Sequence, residues 1–124
     1  MLYWDLVDRA VREPGKDWTV DVSLVATADA EQQLKSIFGQ MATQGIHANG
    51  ELQFDSKVVA IQPDVAFINA CLDGTNRDFL DPSGQVIPDA TGTYRRHTAT
   101  AQVLKSEDGT WLVTSTSEDG NVEC

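Results

Sequence analysis

The sequence predicts an α+β domain in which N-terminal helices pack on a strongly bent antiparallel sheet. Three observations carry this. Up to Gly45, apolar residues recur at helical spacing. From Gly50 onward the apolar period changes to two. Tyr94 to Glu118, YRRHTATAQVLKSEDGTWLVTSTSE, reads as two long strands joined by a tight turn at Ser106-Glu107-Asp108-Gly109.

Leu2 to Arg12 is expected to be a helix. Tyr3, Leu6, Val7, Ala10 and Val11 share a face, with Asp5, Asp8, Arg9 and Arg12 elsewhere, and Pro14-Gly15 ends it. In Trp18 to Ala26, alternating valines suit a strand, but the helical patterns on both sides decide for a short helix. Thr27 can cap a second long helix, with Asp29 and Glu31 in its first turn. Ala30, Leu34, Ile37, Phe38 and Met41 form its apolar stripe, and Gly45 is its stop.

In the following strand, Leu52 and Phe54 share one parity and Val59 and Ile61 the other, so a bulge is expected near Asp55 to Lys57. After a turn at Gln62-Pro63-Asp64, Val65 to Asp73 is nearly continuous apolar and reads as a central strand buried on most of both faces. Gly74 to Gly92 is a long polar connection, in which Phe79-Leu80 and Val86-Ile87 can form a short hairpin around Pro82-Ser83-Gly84. In the final hairpin His97, Ala99, Ala101 and Val103 share one face. Trp111, Val113 and Ser115 share a face, and Leu112, Thr114 and Thr116 the opposite one. The last strand is expected to stop at Glu118, leaving a polar tail to Cys124.

A chain of 124 residues is expected to be one domain, 1–124. The net charge is −10, with 19 acidic residues against 9 basic. That sign opposes nucleic-acid backbones and anionic lipid surfaces. Arg95, Arg96 and His97 form the only basic cluster, which reads as a solvated strand edge. No apolar run approaches the ~20 residues a membrane span needs, so no direct membrane insertion is expected, and no signal peptide is visible. The two cysteines, Cys71 and Cys124, read either as a staple on the tail or as two unrelated thiols of a cytoplasmic protein. A bridge would close a loop of about 54 residues, worth roughly 4 kcal/mol in the chain-entropy model.

The order of elements, with its helices, bulged strand, long apolar strand, interrupting loop and final hairpin, resembles the nuclear transport factor 2-like superfamily. Its fold is a cystatin-like α+β cone. More narrowly, the chain is similar to a group of actinobacterial cell-envelope proteins of unknown function. The carriers of that likeness are Asp17-Trp18, Cys71-Leu72-Asp73, the strand Tyr94 to Val103, Gly109 to Val113 with its Gly-x-Trp-Leu-Val pattern, and Cys124. The resemblance implies that Cys71 and Cys124 are bonded. It also implies an extracytoplasmic domain, secreted or anchored by a segment absent from this chain; free cysteines would point to the cytoplasm instead.

Some members of that superfamily are enzymes that use the cone interior, which requires a carboxylate held in an apolar pocket. Here Asp73 and His97 are the weak candidates for such a pair, against the plainer readings of a solvated aspartate and a structural histidine. His47 and His97 stand alone, with no Cys-x-x-Cys, so no metal is expected. The glycines are scattered through turns, so no phosphate loop and no cofactor are expected either. Trp18, Phe38, Phe67, Asn69, His97 and Trp111 are the candidates to line a ligand pocket; the competing reading makes them core. In the superfamily the open sheet face often pairs subunits, and Thr98, Thr100, Leu112, Thr114 and Thr116 would form it, giving a homodimer. The expectation is a non-enzymatic binding or protein-interaction domain of the cell envelope, taking a protein or a small apolar ligand. The alternative is a small isomerase or cyclase.

Overall fold

The computed structural model describes residues 2–124. Three helices come first: α1 (Leu2–Arg12), α2 (Thr19–Ser23) and α3 (Ala28–Gln44). Six strands follow: β1 (His47–Gly50), β2 (Gln53–Ile61), β3 (Val65–Asp73), β4 (Arg77–Leu80), β5 (Arg96–Lys105) and β6 (Trp111–Glu123). The order β2-β3-β5-β6 makes an antiparallel sheet, and β1 and β4 pair separately as a short antiparallel ribbon. The architecture is the expected α+β arrangement: helices laid on the inner face of a bent antiparallel sheet.

α1 buries Tyr3, Trp4, Leu6, Ala10 and Val11, close to the expected face. One assignment changes: Asp8 is buried as well, 6% exposed. α2 is the expected short helix, opened by the Asp17 carboxylate accepting the Thr19 amide at 3.0 Å. α3 carries its acidic first turn at Asp29 and Glu31 and buries Ala30, Leu34 and Phe38. Thr27 holds the N-cap position without a side-chain hydrogen bond. The next residue, Ala28, takes φ 52, where an L side chain is strained by about 1–2 kcal/mol. Gly45, φ 70, stops the helix as expected, and the following Ile46 amide donates to the Met41 carbonyl.

Two bulges bend the sheet and set which residues face inward. The first lies at Val59, between the pairs Val58↔Ile68 and Ala60↔Phe67, later than the Asp55 to Lys57 position expected. It brings Ile61, opposite the buried Ala66, onto the face of Phe54. The second lies in β6 at Thr114, between Gln102↔Ser115 and Val103↔Val113. It reverses the expected parity beyond Val113, so Thr116 pairs with the buried Ala101 and turns inward while Ser115 turns outward.

β3 is central, as expected, but it is not covered on both faces. Ala66, Ala70 and Leu72 are buried, whereas Phe67 is 41% exposed and Asn69 is exposed. The helices cover the inner face alone, so the outer side of an almost wholly apolar strand meets solvent. The last strand does not stop at Glu118; β6 runs to Glu123. Its register jumps from Thr98↔Asp119 to His97↔Glu123, and the displaced Gly120 carbonyl accepts the Tyr94 amide at 2.7 Å. β4 takes β1 as its main partner, while the expected local hairpin survives as the Leu80↔Val86 bridge.

The core lies between helices and inner sheet face, with Leu6, Val22 and Val113 its most deeply buried large side chains. Each contributes on the order of 1.5–3 kcal/mol. Cys71 and Cys124 are bonded, with Cα atoms 5.9 Å apart. The bond lies on the outer face, and the Arg96 Nε donates to the Cys124 carbonyl at 2.7 Å beside it.

Candidate functional site: a cavity inside the cone

A cavity of about 210 Å³ lies between α1, α3 and the inner sheet face. Helical spacing in α1 stacks Tyr3, Trp4, Val7 and Val11 along one wall, and α3 adds Leu34, Ile37 and Met41. The floor is sheet: Leu72 from β3, His97 from β5, and Thr116 and Glu118 from β6. The β1–β4 ribbon adds Arg77 and Phe79 to the lining. Without the Thr114 bulge, neither Thr116 nor Glu118 would face this space.

The polar groups of the cavity fall into two sets. His97 Nδ1 faces the Tyr94 carbonyl at 3.0 Å, and its Nε2 faces the Glu118 carboxylate at 3.0 Å. Both partners are acceptors, so which ring nitrogen donates follows the tautomer. The second set is Arg77 and Arg95; behind Arg77, outside the lining, Asp8 accepts the Leu52 amide at 2.8 Å and lies 3.4 Å from Arg12 and 3.7 Å from Arg77. Desolvation works against the Arg77 charge and pushes its pKa down, with Asp8 and Glu118 pulling the other way. Burial likewise pushes the Tyr3 phenol up; the Thr116 hydroxyl lowers it and Glu118 raises it. Arg95 is held by Asp89 at 2.7 Å, Asp78 at 2.8 Å and the Arg77 carbonyl at 2.9 Å, which raises its pKa.

The sequence-derived candidates disperse. His97 lines the cavity. Asp73 does not: it pairs with Arg96, on the strand face opposite the Leu72↔His97 pair. The suggested Asp73/His97 pair is therefore not formed. Asp73 instead accepts the Thr75 hydroxyl and amide and sits 3.6 Å from Arg96; the Thr75 bonds hold its pKa below the ordinary carboxylate value, the reverse of a general base tuned by burial. Trp18 and Phe38 are buried at 7% and 4% exposure and pack in the core, the Trp18 indole donating to the Glu13 carbonyl at 2.8 Å. Phe67 and Asn69 point out from the sheet, correcting their placement in the pocket. Trp111 lines a second, wider groove of about 370 Å³ with Leu24, Val58, Ile61 and Ile68. Of the expected open face, Thr98 and Thr100 lie outward with Leu112, opposite Leu104, and Thr116 lies inward. Among the described residues no three His, Cys, Asp or Glu side chains cluster as a metal site.

Asp8, Arg77 and Glu118 escaped the sequence reading. Asp8 carried a signal: it lies four residues from Trp4 and three from Val11, inside the apolar arc of α1. Arg77 and Glu118 carried none, because a short ribbon and a bulge place them.

No family model matches the sequence, and no curated protein matches it. Solved structures do. The chain is similar to the intermembrane space region of the chloroplast protein ARC6, with TM-score 0.71 and 16% identity over 96% of this chain and 89% of that one. It is similar to a protein assigned as an aromatic ring hydroxylase from Novosphingobium aromaticivorans, with TM-score 0.65 and 14% identity over 95% and 83% of the two chains. A conserved protein from Planctomyces limnophilus follows, with TM-score 0.55 and 16% identity over 87% and 82%. At such identities the likeness is one of fold, and that fold hosts unrelated activities.

Proposed function

We propose that this chain is a non-enzymatic binding domain of the cell envelope, acting as one domain over 1–124, and that its cone cavity takes a small apolar molecule. The observation that carries this is the largely apolar cavity between α1, α3 and the sheet. The Cys71–Cys124 bond supports an oxidising, extracytoplasmic location, and no described helix is long and apolar enough to cross a membrane. The outer sheet face, with Phe67 exposed, is the surface on which a second copy or another protein would pair. The cavity is tested by calorimetric titration with 1-octanol. Leu72→Trp, which fills the floor, is expected to abolish binding while the far-UV spectrum is kept. Unchanged binding by that variant would overturn the reading.

One observation favours the competing reading, a small isomerase or cyclase. His97 and Glu118 are hydrogen-bonded at the cavity wall, close to the buried Tyr3 phenol. On that reading His97 with Glu118, not Asp73, is the acid/base pair. Turnover of a cyclic ketone that is lost in His97→Gln and Glu118→Gln, but kept in Asp73→Asn, would establish it.

A further inference from the structure

The cavity has two kinds of lining. Trp4, Leu34 and Leu72 are hydrocarbon. Arg77, Arg95 and His97 are basic, and these three also line an adjoining surface pocket of about 230 Å³. The basic side of the cavity is therefore the one that meets the surface pocket, its mouth.

The three basic side chains at that mouth are not equivalent. Arg95 is spent on Asp78, Asp89 and backbone carbonyls. His97 is spent on Tyr94 and Glu118. Arg77 is not spent. Its Nη1 is buried and has no hydrogen-bond partner among the described residues. Its ion pair with Asp8 Oδ1 is 3.7 Å long, beyond hydrogen-bond reach, and that oxygen already accepts the Leu52 amide. The guanidinium lies 5.0 Å from the Phe79 ring centroid, a contact that leaves its in-plane donors uncommitted. A buried cation with unspent donors is costly, and an anion that completes its bonds removes that cost.

We infer that the ligand is a small monocarboxylate with an apolar body, its hydrocarbon part in the cavity and its carboxylate on Arg77. The inference rests on the cavity reading above. A guanidinium matches a carboxylate in shape, offering paired N–H donors. Asp8 and Glu118 both act on Arg77, so a dianionic phosphate would meet two carboxylates at the same mouth, whereas a single negative charge is offset.

Octanoate, 1-octanol and octyl phosphate, titrated calorimetrically into the disulfide-bonded protein, separate the alternatives. Octanoate is expected to bind roughly tenfold tighter than the alcohol or more, and tighter than the phosphate ester. Arg77→Met is expected to abolish the preference for octanoate over the alcohol. Arg77→Lys, which keeps the charge and loses the paired donors, is expected to fall between and covers the case in which the methionine variant does not fold. Equal binding of octanoate and octanol by the unmodified protein, or an Arg77→Lys protein with undiminished preference, would overturn the inference while leaving the cavity reading standing. Tighter binding of the phosphate ester would overturn the carboxylate assignment. Binding of none of the three removes both the inference and the reading beneath it.

Discussion

Asp8 is the residue that ties α1 to Leu52 and to the β1–β4 ribbon. It accepts the Leu52 amide, neutralises Arg12 and faces Arg77, all while 6% exposed. Asp8→Ala leaves the buried Leu52 amide without an acceptor and the buried Arg77 without its nearest counter-charge, and is expected to cost about 3 kcal/mol or more in urea unfolding. Asp8→Asn keeps an acceptor for Leu52 and should cost less. Exposed aspartates act differently. The Ser106 hydroxyl and the Thr110 amide hold the Asp108 pKa down to about 2, and hydroxyl and amide donors likewise lower Asp17, Asp73 and Asp81. A carboxylate lowered in the folded state stabilises above its unfolded value and loses that contribution as pH falls through the folded one. Stability is therefore expected to decline from about pH 4 toward pH 2. Asp108→Asn should flatten that decline in thermal melts taken across the same range.

Among the elements, the β1–β4 ribbon turns on Gly50. It takes φ 94, and a Cβ there would lie 2.0 Å from the Asn76 carbonyl oxygen. Strain and collision with rigid backbone add together, so Gly50→Ala is expected to destabilise by about 3 kcal/mol or more, read as a lower urea midpoint with an unchanged slope. Because this ribbon carries Arg77 and Phe79, the variant should also weaken ligand binding in the cavity. The same element shows where sequence reading stops. Helix α3 was legible from end to end, since its stripe and its Gly45 stop are local signals. Strand existence was legible too, but inward and outward faces were not, beyond each bulge. A single extra residue at Thr114 turns Thr116 and Glu118 into the cavity, and nothing in TWLVTSTSE marks which residue is extra.

Over the whole molecule, the Cys71–Cys124 bond ties the far end of β6 to the middle of the sheet across 53 residues of sequence. Its loss through Cys71→Ser with Cys124→Ser is expected to cost up to roughly 4 kcal/mol. It should also speed amide exchange selectively from Glu118 to Glu123. Undiminished protection there would show that the register pairs and the Arg96 contact hold that strand without the bond. Intact mass before and after reduction, differing by two hydrogens, checks that the bond forms.

The sequence alone determined the class, the helix positions, the hairpin and its turn, because periodicity and turn chemistry act over a few residues. The two cysteines alone left bonded and separate thiols open, a family resemblance strengthened the bonded reading, and the pairing is made where β3 and the residue that follows β6 come together. The cavity and its charged mouth were decided by tertiary structure. Arg77, His97 and Glu118 come from three different strands, and Asp8, behind Arg77, from a helix. Bulge position, strand pairing and the uncovered outer face depend on the free energy of the assembled sheet and helices, which no short stretch of sequence contains.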